Sequence, residues 1–263
     1  MIWGIVPAAG IGSRIQPLAF SKELLPVGSQ FQDGVERPRA VSEYLIERMV
    51  TAGATNICFV ISPGKADIIE YFGANAGPAH LCYTVQPHVA GLCDAIFRAL
   101  PLIHSSDDVL VGLPDTIWFP EDGLAHLPVG KLAFLLFPVS HPERFDSLVA
   151  DTQGNVIRID VKDANAESRW IWGAFRMPAS VLRELFELWS EPDRGDEYFG
   201  TLVNAYLARG GHAVGIRAGT AYVDVGTIHG YREAVRILNS VHADRPSFPD
   251  QVLPLRAHAA RSR

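Results

Sequence analysis

Short, nearly continuous apolar runs bounded by turn residues recur at positions 2–7, 56–61, 81–85, 108–112, 131–139 and 170–176. Runs of that length with few polar interruptions predict strands buried on both faces. Between several of them lie segments with helical period, at 39–52, 65–72 and 91–100. Strands alternating with helices imply βαβ crossovers, so the chain is expected to form a three-layer α/β fold around a mixed, mostly parallel sheet. The second half is more varied. Residues 145–150 and 156–161 flank Asp151-Thr152-Gln153-Gly154-Asn155 and read as a hairpin. Helical patterns follow at 179–189 and 197–209, strands at 212–216 and 221–223, and a helix at 228–239. No internal repeat is visible. Residues 1–242 are expected to form one domain, with 243–263 a poorly structured extension that lacks a convincing period.

Ligands of parallel α/β sheets collect at the carboxyl ends of strands. The first run is followed there by Ala8-Ala9-Gly10-Ile11-Gly12-Ser13-Arg14, and Lys22 comes soon after. Small residues let the backbone approach a ligand closely, and consecutive amides with Arg14 and Lys22 suit the phosphates of a nucleoside triphosphate. The loop is not a phosphate-binding P-loop, because Ser13-Arg14 follows the second glycine where Gly-Lys-Ser/Thr is required. Nor does it fit a dinucleotide-binding turn, because Ile15 occupies the third glycine position.

Composition narrows the partners. The 263 residues carry a formal charge of −6 and no run of basic residues, which argues against nucleic acid. No apolar stretch reaches the ~20 residues of a membrane span, and the start of the chain lacks the features of a secretory leader. Cys58, Cys82 and Cys93 show no metal-ligand spacing and are expected to be free thiols in a cytoplasmic protein. The histidines include no paired motif for a transition metal.

Two further strand ends carry carboxylates. Asp115, in Gly112-Leu113-Pro114-Asp115-Thr116, could hold Mg²⁺, although a solvated turn aspartate would look the same, and Asp224, in Tyr222-Val223-Asp224-Val225-Gly226-Thr227, sits at another strand-to-helix junction where a helix N-cap is the plain reading. Gln86 ends the strand before Pro87-His88-Val89-Ala90-Gly91. An amide donates and accepts at once, which matches the edge of uracil or thymine.

Taken together, Gly10-Ile11-Gly12-Ser13-Arg14-Ile15-Gln16-Pro17-Leu18 and Ser21-Lys22-Glu23-Leu24-Leu25-Pro26 resemble the signature of the sugar-phosphate nucleotidylyltransferases. The look is closest to the bacterial branch that handles glucose 1-phosphate with UTP or dTTP. The resemblance implies a nucleotide-diphospho-sugar transferase fold, Rossmann-like in its layers, and transfer of a nucleotidyl group to a sugar 1-phosphate. It implies Arg14 and Lys22 as catalytic cations, and Ala8, Ala9, Gly10, Gly12, Ser13, Gln86 and Gly91 as nucleotide contacts. It implies Asp115 and Asp224 as the Mg²⁺ ligands, Lys162 and Gly173 at the sugar phosphate, and a homo-oligomer, dimer or tetramer. Two departures stand out. Ser21 replaces a proline, and Val161 replaces the glutamate that precedes the family's lysine and contacts sugar hydroxyls. A non-catalytic nucleotide-sugar sensor and an enzyme using CTP remain open alternatives.

Overall fold

A computed structural model describes residues 1–32 and 34–242; the expected extension at 243–263 lies outside the described residues. In chain order the elements are β1 (Ile2–Pro7), β2 (Pro26–Gln32), β3 (Val35–Ala40), α1 (Val41–Thr51), β4 (Asn56–Ile61), α2 (Ala66–Phe72), β5 (Asn75–Ala76), β6 (Ala79–Val85) and α3 (Gly91–Phe97). Then come β7 (Asp108–Gly112), β8 (Thr116–Phe119), β9 (Leu132–Pro138), β10 (Asp146–Ala150), β11 (Val156–Val161), β12 (Trp170–Pro178), α4 (Ala179–Trp189), α5 (Phe199–Ala208), β13 (Ala213–Ile216), β14 (Ala221–Asp224) and α6 (Ile228–His242).

The α/β expectation holds. A ten-stranded mixed sheet runs β11-β10-β12-β7-β1-β4-β6-β5, with β9 on β12 and β13 on β9. The central strands β7, β1, β4 and β6 are mutually parallel, and the antiparallel pairs lie outside them. Alternation along a strand explains the two-sided burial. Ile5 of β1, with Cys58 and Val60 of β4, joins a core under α3, α4 and α5 that includes Phe97, Leu182 and Phe199. Val6, with Ile57 and Phe59, joins the opposite core with Leu45 and Met49 of α1 and Ile68 of α2. A third, smaller core gathers Ile15, Val27, Tyr44, Val223 and Leu238, and fastens α6 beside the first loop.

The hairpin β10–β11 forms as expected. The side chain of Asp151 closes its turn by accepting from the backbone N–H of Gln153 and Asn155, each at 2.8 Å. The helix expected at 39–52 instead begins at Val41, because Arg39 and Ala40 complete β3. The β2–β3 hairpin and β8 have no counterpart in the apolar pattern. Among the described residues no helix is long and apolar enough to cross a membrane.

Candidate active site

Chain order places the site. From β1 the sheet continues to β4 on one side and β7 on the other, so the loops leaving these strands open a crevice at their shared carboxyl end. The first loop leaves β1 with Ala8 and Ala9 buried, and Ala8 N–H still bonds Val60 O of β4 at 2.8 Å. A side chain at Gly10 would meet nothing within 4 Å, so this glycine fronts open space. Gly12 has φ +71°, and a Cβ there would lie 2.5 Å from Cδ of Lys22. The glycine thus serves both the left-handed turn and the passage of the lysine. Ser13 sits in the turn that closes through Ile15 N–H to Gly12 O.

Lys22 donates to Asp115 Oδ2 at 2.5 Å, and Arg14 donates to Asp224 Oδ2 at 2.9 Å. The two acidic loops are tied to each other. Asp224 pairs with Thr116 in the small β8–β14 sheet, and Val225 N–H donates to Asp115 O at 2.8 Å. Gly226 lies where all these groups converge. A Cβ on it would lie 2.9 Å from Asp224 Oδ1, 3.1 Å from Asp115 Oδ2 and 3.2 Å from Arg14 Nη2. From below, the buried guanidinium of Arg48 on α1 reaches Trp118 O at 2.5 Å and lies 4.7 Å over its ring, which holds β8 against the helix.

Charge balance in this cluster is lopsided. Burial pushes the Lys22 amine down, but Asp115, Glu23 and Asp224 outweigh it and leave its pKa raised. Burial likewise pushes the Asp115 carboxyl up, and Lys22 with Arg14 brings it below the usual range. Both groups are therefore charged at neutral pH.

Lys65, which the sequence analysis passed over, holds the floor of the first loop. Its Nζ donates to Ala8 O at 2.6 Å, Gly10 O at 2.7 Å and the fully buried Glu23 carboxylate at 2.7 and 2.8 Å. One ammonium thus links the glycine turn to the segment bearing Lys22. A signal was available, since Lys65 closely follows β4, the strand beside β1.

Gln86 and Gly91 form a second cluster. Gln86 is buried, and its amide nitrogen donates to Gly91 O at 3.0 Å and Asp94 Oδ2 at 2.8 Å. With both amide hydrogens engaged, only its carbonyl is left for a ligand. Gly91 has φ +82°, and a Cβ would come within 2.6 Å of the Glu197 carbonyl oxygen. Its lack of a side chain is demanded by that backbone.

Lys162 and Gly173 lie on the other flank. Lys162 follows β11 with φ +46°, and its ammonium sits 4.2 Å from the Tyr198 ring centre. Gly173 marks a register shift in β12, and its missing Cβ makes room for the Tyr222 ring, 2.4 Å from where that atom would be. Tyr222 joins the flanks. Burial first, then Asp224, Asp115 and Asp146, raise its phenol well above the ordinary value.

The carboxylate pair fits a hard divalent cation. Asp115 Oδ2 and Asp224 Oδ1 both lie beside Gly226, and among the described residues no group of three or more His, Cys, Asp or Glu surrounds them. Two carboxylates with the remaining positions left to phosphate oxygens and water are what Mg²⁺ accepts.

The nucleotidyl transferase family model matches residues 3–240. The chain belongs to that family. It is similar to the bifunctional protein GlmU of Methanocaldococcus jannaschii, at 24% identity over 244 residues, 91% of this chain and 55% of that protein. It is also similar to the UTP–glucose-1-phosphate uridylyltransferase of Mycoplasma pneumoniae, at 29% identity over 141 residues, 44% of this chain and 45% of that one. The chain spans about half the length of these curated relatives. Among solved structures, the UTP-bound UGPase of Acinetobacter baumannii has the same fold, with a TM-score of 0.74 at 21% identity over 93% of this chain and 95% of that one.

Proposed function

We propose that this nucleotidyl transferase moves the nucleotidyl group of UTP or dTTP onto a sugar 1-phosphate and releases pyrophosphate. The observation that carries the reading is the paired arrangement Lys22–Asp115 and Arg14–Asp224 around Gly226, at the end of the central strands. A protein that only sensed nucleotide sugars would have no use for two cations facing two carboxylates there.

The sugar phosphate needs no general base, because the second ionisation of a phosphate monoester lies near ~6. Its oxygen forms a bond to the α-phosphorus as the bond from that phosphorus to the departing pyrophosphate breaks. Lys22 and Arg14 would hold the β- and γ-phosphates and balance the charge that accumulates on them. Backbone amides of the Ala8–Ser13 turn orient the same phosphates, and Lys65 keeps that turn fixed. Asp115 and Asp224 would hold Mg²⁺, which when bound supplies Lewis-acid stabilisation at the phosphates. Lys162 would neutralise the incoming monoester, with Gly173 lining the sugar's side of the crevice.

Gln86 bears on the base. Its free carbonyl would accept the N3–H of uracil or thymine, and the N4 amino group of cytosine would donate to the same atom, so the choice among UTP, dTTP and CTP falls to a substrate screen. The protein would act in the cytoplasm, in keeping with its free thiols, and as a homo-oligomer. Pyrophosphate release from purified protein, screened over four nucleoside triphosphates and a set of sugar 1-phosphates, tests the reading. Release with UTP or dTTP supports it. Tight binding of a nucleotide sugar without any release would make the protein a sensor instead.

A further inference from the structure

The resembled family reads sugar hydroxyls with a glutamate where this chain has Val161. We propose that Asp146 takes over that task and sets which sugar 1-phosphate is accepted; this rests on the function proposed above.

In the antiparallel β10–β11 pair, Asp146 stands directly opposite Val161. Residues facing each other across neighbouring strands share one face of the sheet. A carboxylate lost from one strand is therefore replaced, on the same face, by one on the next strand. Lys162, the expected phosphate contact, follows Val161 immediately.

Asp146 Oδ1 is buried without a partner. The register that pairs Ser147 with Ile171 sets Asp146 beside Trp172, whose indole N–H is also buried without a partner. Buried polar groups are almost always satisfied, and an acceptor and a donor left open on adjacent strands mark a place where a group able to do both would be welcome. A sugar hydroxyl is such a group. Asp146 is half-buried as a residue, at the first position of β10.

Electrostatics agrees. Burial pushes the Asp146 carboxyl up to about 6, with Lys162 pulling the other way. The start of β10 lies beside the start of β12, and β12 pairs there with the carboxyl end of β7 through Ala174 and Gly112, so Asp146 stands at the crevice end of the sheet. The opening of α5 is shaped around it. A Cβ at Gly200 would lie 2.8 Å from Val161 Cγ2 and 3.5 Å from Asp146 Oδ2.

The test is steady-state pyrophosphate release by the wild type and Asp146→Asn, using the accepted sugar 1-phosphate and its monodeoxy analogues. Asn keeps the size of the side chain and an oxygen acceptor while removing the charge. A hydrogen bond to a charged group corresponds to about ten- to hundredfold in affinity. The sugar-phosphate KM should rise by that factor, the nucleotide KM should change less than about twofold, and discrimination against one deoxy analogue should collapse by the same factor. Asp146→Ser should show the same split, which guards against poor folding of either variant. Unchanged sugar KM and unchanged discrimination in an active protein would overturn the proposal alone. A wild type that releases no pyrophosphate with any pair would overturn the functional reading, and this proposal with it.

Discussion

Ser21 donates its backbone N–H to Asp67 Oδ2 at 2.6 Å and its hydroxyl to Asp67 Oδ1 at 2.7 Å. The pair fastens the residue before Lys22 to the first turn of α2. Proline, which the resembled family has at this position, could make neither bond. Here the constraint comes from a partner, and Asp67 is that partner.

Asp67→Ala should therefore loosen the segment carrying Lys22. Two hydrogen bonds to a charged group are lost, so stability should fall by about 1–3 kcal/mol. Pyrophosphate release should fall by about tenfold, mainly in kcat, because a displaced cation harms charge balance at departure more than binding. Thermal melting and steady-state rates on the same preparation check both. The Ser21 contacts hold the Asp67 pKa below its ordinary value against the opposing effect of burial. This stabilisation is present above the unfolded-state pKa and is lost as pH falls through the folded one, so wild type and variant should converge in stability in acid.

Asp115→Asn and Asp224→Asn should each abolish Mg²⁺-dependent turnover, and the double variant should be little worse than either. Both side chains converge on Gly226, and effects within one unit are not additive. Rates across a Mg²⁺ titration decide it. Full activity of either single variant at low Mg²⁺ would make that residue a turn or capping aspartate.

Gln86→Glu should weaken nucleotide binding. The substitution removes the N–H donors to Gly91 O and Asp94 and sets a second carboxylate against Asp94. The nucleotide KM should rise by about tenfold or more, with the sugar-phosphate KM much less affected. An unchanged nucleotide KM at saturating sugar phosphate would remove Gln86 from base recognition.

Asp146 should also cost stability at neutral pH. Its folded-state pKa of about 6 lies above the ordinary 3.8, so the native protein binds this proton more tightly than the unfolded chain. Stability is greatest below the unfolded value and falls as pH rises through the folded one. Asp146→Asn should thus melt higher than wild type at pH 8, by on the order of 1–3 kcal/mol, and not at pH 4. Equal melting at both values would mean that the carboxylate is well solvated.

The elements that frame the site were legible because strands buried on both faces leave unbroken apolar runs, as β1 and β4 do. The glycine turn and Asp115 were legible because each closely follows such a run, Arg14 and Lys22 because they are the cations nearest that turn, and Asp224 through the resemblance. The β2–β3 hairpin was not, since Glu36, Arg37, Pro38 and Arg39 offer no apolar face to read. Lys65 and Asp67 were taken as the start of a helix, and their roles depend on the sheet bringing β4 beside β1. Asp146 was hidden for a similar reason. Only strand register shows what faces Val161. Gly91 and Gly173 were singled out as ligand contacts, yet the Glu197 backbone and the Tyr222 ring account for why each must be glycine.

In the proposed reaction the Lys22 ammonium, held by Asp115 at the end of the central strands, balances the charge of departing pyrophosphate. Pyrophosphate release by Lys22→Ala, compared with wild type on the best nucleotide and sugar 1-phosphate pair, tests it most directly. Loss of one electrostatic stabiliser of this kind costs ~10²–10³ in rate, and the variant should show that loss while still folded, with its melting temperature lowered by the lost Asp115 ion pair. Wild-type turnover in the folded variant would contradict the account.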